Sequence, residues 1–147
     1  MKLWRLTQKR FLHLNGAGAE LSGGRWTSPG LPVVNFASEA GLAVLVVLRY
    51  LPRDLERIDE DYFLGWTDVD HEPEDIAFEK DAAEKRRLGD AWLNSRRTLL
   101  ARVQSAVLPE ASIILMNPRH SAAAEIAPLK TRPFSFKKCL ELPPFPS

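Results

Sequence analysis

Between Glu39 and Arg49 the run AGLAVLVVL carries neither charge nor polar side chain, and it limits the possible folds more than any other stretch. A helix apolar nearly all round needs cover on every side, so Ser38 to about Tyr50 reads as a central, buried helix. Ser38 offers an N-cap hydroxyl, Glu39 stands in the first turn, and Pro52 stops the helix. Its unbroken apolar part, Leu42 to Leu48, is far shorter than the roughly 20 residues a membrane span requires, so the cover must come from the protein itself. A chain of 147 residues that is 45% apolar and 27% charged is long enough to build such a core as one domain. It needs no staples, and the single Cys139 allows no internal disulfide and no CxxC metal site.

The formal charge of +1 makes no electrostatic case for direct binding of nucleic acid or an anionic membrane. The start MKLWRLTQKRF is broken by charges and lacks the apolar centre of a secretory signal. The expected location is the cytoplasm.

Around the helix the chain reads mostly as strands: Leu3 to Leu6, Leu31 to Phe36, Tyr62 to Val69, Thr98 to Val103, Ser112 to Met116 and Phe134 to Phe136. A second helix is expected over Ala82 to Leu93. Arg53 to Asp61 alternates charges and reads as an exposed connection. Asp68, Asp70, Glu72, Glu74 and Asp75 read as a solvated acidic turn around Pro73. The tail, about 143–147, is proline-rich and extended. Strands spread along the chain among fewer helices predict an α+β fold: one compact domain, a curved mixed sheet with helices packed around it.

The familiar catalytic patterns are missing. His13, His71 and His120 lack metal-ligand spacing, and there is no P-loop, no GxSxG elbow and no dinucleotide GxGxxG. The stretch GGRWTSPG, Gly23 to Gly30, stands out instead. Its glycines and proline impose a shape, and the shaped loop carries Arg25 and Trp26. A guanidinium there can grip a phosphate or pyrophosphate bidentately; it can equally stack on Trp26 or pair with a carboxylate. Ser105, just after a strand, can hold a ligand or simply cap a turn. The residues by themselves leave both pairs of readings open.

Five segments in order resemble one family. GAGAELSGGRWTSPGLPVV (Gly16 to Val34) is similar to the opening signature of RES-domain toxins, the toxic halves of bacterial Xre–RES toxin–antitoxin pairs. ASEAGLAVLVVLRYL (Ala37 to Leu51) resembles their first long helix, and LGDAWL (Leu88 to Leu93) their Gly-Asp-Ala-Trp element. SAVLPEASIILMNPRH (Ser105 to His120) resembles their serine segment with its Asn-Pro-x-His, and FSF (Phe134 to Phe136) falls at their closing strand.

The resemblance implies an ADP-ribosyltransferase-like domain over residues 1–147. It implies NAD as substrate, no metal, and an Xre-type antitoxin as partner. The chemistry would be cleavage of the nicotinamide–ribose bond, with ADP-ribose passed to water or to a protein. Such a reaction passes through an oxocarbenium-like transition state. It calls for an arginine on the pyrophosphate, an aromatic face for nicotinamide, and a carboxylate opposite the developing cation.

By the same resemblance the signature arginine is Arg25 and the signature serine Ser105, with Trp26 and Asn35 among the nucleotide-binding positions. The family tyrosine, however, falls on Asn35 and the family glutamate on Val46. Thr27 stands for a usual asparagine, and Lys137 and Cys139 replace a late Asp-x-Arg. Glu39 lies two turns from Val46, about 10 Å along a helix, too far to substitute. The resemblance therefore implies an attenuated NAD-cleaving toxin. The alternative is a catalytically inactive RES domain retained as an antitoxin- or NAD-binding module.

Overall fold

The computed structural model describes residues 1–51 and 61–141. Seven strands form one mixed sheet: β1 (Lys2–Gln8), β2 (Val34–Ala37), β3 (Tyr62–Asp68), β4 (Glu74–Asp75), β5 (Leu100–Gln104), β6 (Ser112–Met116) and β7 (Lys130–Pro133). Their order is β4-β5-β6-β2-β1-β3-β7, antiparallel throughout except for the parallel pair β4–β5. The helices are α1 (Ala17–Ser22), α2 (Ala40–Leu48), α3 (Ala82–Ser95) and α4 (Phe136–Leu140). The architecture is α+β, as expected.

Alternation along the strands sends successive side chains to opposite faces, and each face has its own cover. Leu3, Val34, Phe36, Leu100, Ile114 and Met116 are buried on one face beneath Ala122, Ala123, Ile126 and Leu129. On the other face, Leu6, Ala37 and Leu64 lie under α2 and Phe136. Farther along that face, Ala101, Val103 and Leu115 lie under Trp26, Trp92 and Leu93. This second face thus carries two separate covers, α2 at one end and α3 with the Trp26 loop at the other.

Several expectations need correcting. The apolar helix is shorter than expected and is not central: α2 buries only Leu42 and Ala43 and leaves Leu45 37% exposed. An uncharged run shows what a helix tolerates, not which sides are covered, and here one side borders a cavity. Ser38 is not its cap. Glu39 holds the cap position without a capping side-chain bond, while Ser38 Oγ accepts from the Ser112 amide at 3.0 Å and ties β2 to β6. The helix ends at Leu48, before Pro52, which lies outside the described residues with Arg53 to Glu60 and the tail at 142–147.

Phe134 to Phe136 is not the closing strand. That role falls to Lys130–Pro133, paired with β3. Ser135 Oγ then accepts from the Lys138 amide at 3.3 Å and starts α4, burying Phe136 edge-on to Tyr62 and Phe134. Strand β5 begins two residues later than expected: Thr98 Oγ1 accepts from Trp92 Nε1 at 2.8 Å and donates to the Leu100 carbonyl at 3.1 Å, and pairing with β6 starts at Leu100. The acidic turn is partly structural: Glu74 and Asp75 form β4 and pair with Arg97 and Arg102 at 2.6 and 2.9 Å.

Candidate functional site

A cavity of about 670 Å³ opens between the two covers, with walls from α2, α3, the Gly23–Gly30 loop and the turn after β5. Its size suits a nucleotide-sized ligand, since small-molecule sites span roughly 300–1,000 Å³. Arg25, Trp26, Asn35, Val46 and Ser105 all line it. Residues spread over eighty positions of sequence are thereby brought around one space.

The loop's shape comes from close contacts. Gly23 has φ 71°, and a Cβ there would lie 2.8 Å from Pro29 Cδ. The Gly24 amide donates to the Thr27 carbonyl at 2.9 Å, closing the turn that carries Arg25. Helix α1 precedes the loop, framed by left-handed Gly16 and by Gly23. Six residues between glycines offer no helical periodicity to read, so this helix was not expected from the sequence.

Helix α3 fastens the loop. A Cβ on Gly89 would sit 1.6 Å from the Trp26 carbonyl oxygen, so only glycine permits this approach. The next residue, Asp90, accepts from the Ser28 amide at 2.9 Å and from the Ser28 hydroxyl at 2.6 Å. Trp92, one turn on, is buried beside Trp26. LGDAWL is therefore a clamp on the arginine loop: glycine for approach, aspartate for grip, tryptophan for core.

Arg25 is exposed, with its guanidinium 5.6 Å from the Tyr50 ring. It has no carboxylate partner among the described residues, and the ring it lies over is that of Tyr50 rather than Trp26. Trp26 is 8% exposed, with Lys85 Nζ 5.8 Å from its ring; it is as much a core residue as a wall. Ser105 Oγ accepts from the Val107 and Leu108 amides at 3.3 and 3.2 Å. The turn-capping reading of Ser105 is correct, and the capped turn forms part of the wall.

Asn35 is exposed at the β2 edge of the cavity. Strands β1 and β2 pair at Trp4 and Ala37, and beyond that pair Arg5 Nη1 donates to the Asn35 carbonyl at 3.0 Å. Burial pushes the Arg5 guanidinium down to about 10, since its Nε is sealed from water without a hydrogen-bond partner. Val46 faces the cavity from α2. Glu39 does not line it.

Arg49, Lys85 and Arg86 also line the cavity and were not singled out from the sequence. Arg49 had a legible signal, standing three residues after Val46 and so on a neighbouring part of the helix surface. Lys85 and Arg86 had none, because a charged stretch on a helix reads as solvated. Arg86 Nε points to the Gly24 carbonyl at 3.5 Å. No carboxylate is among the described residues lining the space.

Other motif pieces turn out to be scaffold. Asn117 is fully buried, donating from Nδ2 to the Leu93 carbonyl at 2.9 Å and accepting from the Arg119 amide. His120 Nδ1 accepts from the Ala122 amide at 3.0 Å and caps a short 3₁₀ turn. Among the described residues no group of three His, Cys, Asp or Glu stands where it could hold a metal ion, and no helix is long and apolar enough to cross a membrane.

Comparison with known proteins adds an independent line. The RES domain profile matches residues 2–137. The chain is 34% identical over 131 residues to the Prs ADP-ribosylating toxin of a Sphingobium species, covering 81% of each chain. It is 30% identical over 128 residues to Toxin Res of Photorhabdus laumondii, covering 80% of this chain and 82% of that one. It is 32% identical over 130 residues to Toxin Res of Pseudomonas putida, covering 84% and 88%. In three dimensions it resembles the crystal structure of the Mycobacterium tuberculosis MbcT–MbcA toxin–antitoxin complex with a TM-score of 0.70, covering 91% of this chain and 84% of that one at 17% identity, a likeness of fold. The chain belongs to the RES domain family.

Proposed function

We propose that this chain is a RES toxin of a toxin–antitoxin pair whose cavity binds NAD, with cleavage of the nicotinamide–ribose bond attenuated. The observation that carries the reading is the convergence of Arg25, Trp26, Asn35, Val46 and Ser105 on one cavity. Arg25 would hold the pyrophosphate, its guanidinium free of any described carboxylate and its loop held by Gly89 and Asp90. Backbone amides of a glycine-shaped turn assist such anion binding. Ser105 would bound the opposite wall. The residues present fit the anionic half of the dinucleotide.

They fit the cationic half poorly. Cleaving the N-glycosidic bond develops positive charge on the ribose, and Val46 offers that charge an apolar wall. Asn35 offers no aromatic face to nicotinamide. Removing one preorganised electrostatic group typically costs about 10²–10³ in rate, so turnover should be slow. The same observation favours a second reading, an inactive RES domain kept for binding. In either case the domain, ADP-ribosyltransferase-like and spanning the chain, would act in the cytoplasm against an Xre-type antitoxin. The structural relative is a toxin in complex with an antitoxin, which supports an antitoxin partner.

The test is nicotinamide release from NAD by purified protein, beside Arg25→Ala. Slow release abolished by Arg25→Ala supports the attenuated enzyme. No release from folded protein supports the binding module. Release unchanged in Arg25→Ala refutes the assignment of this cavity.

A further inference from the structure

The cavity's charge is one-sided. From its loop the Arg25 guanidinium lies over the ring of Tyr50, the residue after Arg49, and Lys85 and Arg86 line the cavity from α3. No described lining residue is acidic. The nearby acids are engaged elsewhere: Asp90 with Ser28, Glu84 with Arg87, and Asp81 capping α3. Low-dielectric walls focus such a field into the cleft.

Resting on the reading of this cavity as a nucleotide site, we propose that it selects nucleotide diphosphates lacking a positive charge, binding ADP-ribose or reduced dinucleotide in preference to oxidised NAD. Oxidised NAD brings two phosphate negatives and a cationic nicotinamide ring. ADP-ribose keeps the phosphates and lacks the ring; NADH keeps a ring of nearly the same shape without its charge. The pyrophosphate gains equally from the four cations in all three ligands. Only the oxidised ring must sit among like charges with no carboxylate among the described lining residues to offset them. Arg49 strengthens the effect because it is three residues from Val46 on one helix, which puts a cation beside the apolar wall. A repulsion of this kind in a partly solvated cleft is worth about tenfold in affinity.

The discriminating experiment is calorimetric titration of the whole protein with NADH, NAD and ADP-ribose, with nicotinamide followed by NMR. The expected result is binding of NADH and ADP-ribose about tenfold tighter than NAD, with the gap narrowing as salt rises. Val46→Glu should reverse the NADH-to-NAD order. Arg49→Gln, at an exposed helix end, should narrow it even if the glutamate variant does not fold. Equal affinity for NADH and NAD overturns this inference while leaving the nucleotide site standing. Brisk consumption of NAD overturns it too, since that requires a group that stabilises the cation. No binding of any of the three by folded protein overturns the nucleotide site and this inference together.

Discussion

The two walls of the cavity are built by opposite means. The α3 wall is over-determined: Gly89 against the Trp26 carbonyl, Asp90 on Ser28 through two hydrogen bonds, and Trp92 and Leu93 buried beneath. The α2 wall is a nine-residue apolar helix without a capping side chain, fully buried at two positions, with Val44, Val47 and Leu48 only partly buried against the core. The loop that would grip an anion is thus held by close contacts, the tightest of them at Gly89. The wall that would face the reacting ribose rests on adaptable aliphatic contacts. The second wall can take substitutions without unfolding the protein, whereas the first wall admits few.

This contrast can be broken in a defined order. Gly89→Ala should have the largest effect, about 3 kcal/mol or more, because its Cβ and the Trp26 oxygen cannot both keep their places; thermal unfolding measures it, and a loss below 1 kcal/mol would show the loop to be loosely held. Asp90→Ala should follow at about 2 kcal/mol, the scale of losing charge-assisted bonds and leaving the Ser28 amide unpaired. Ser105→Ala should cost about 1 kcal/mol by uncapping its turn. On the other wall Leu45→Ala should cost less than about 1 kcal/mol, as its side chain is more than a third exposed. A loss comparable to that of Gly89→Ala would mean that α2 is as tightly fixed as α3.

The smallest effect concerns pH. The Glu74 carboxyl is held below the usual carboxylate range, chiefly by its hydrogen bond from Arg97. Its stabilisation is therefore complete above the ordinary carboxylate pKa and is lost as pH falls through the depressed value. Glu74→Gln should lower the midpoint slightly at pH 7 and not at all at about pH 2. A gap that persists unchanged in acid would remove the pair from the account.

Much of the site was legible from residues. The glycines and proline of GGRWTSPG announced a shaped loop, since a left-handed turn has few other ways to be written, and Arg25 was conspicuous on it. Strand β6 was readable to the residue, because its apolar run is bounded by turn signals. The roles of Gly89 and Asp90 were not, because their partners lie more than sixty residues away in sequence. The Phe134–Phe136 stretch misled for a related reason: aromatic residues suit strands, but the serine between them caps a helix.

The sequence by itself determined the α+β class, the arginine loop and the lack of a carboxylate at Val46, for these depend on residue type and local spacing. Tertiary structure decided which side of the apolar helix would be bare, and which distant glycine would admit the loop. It also gathered Arg49, Lys85 and Arg86 with Arg25 around one cavity. Charge acts through space, so four cations far apart along the chain become a single field only when the fold brings them together.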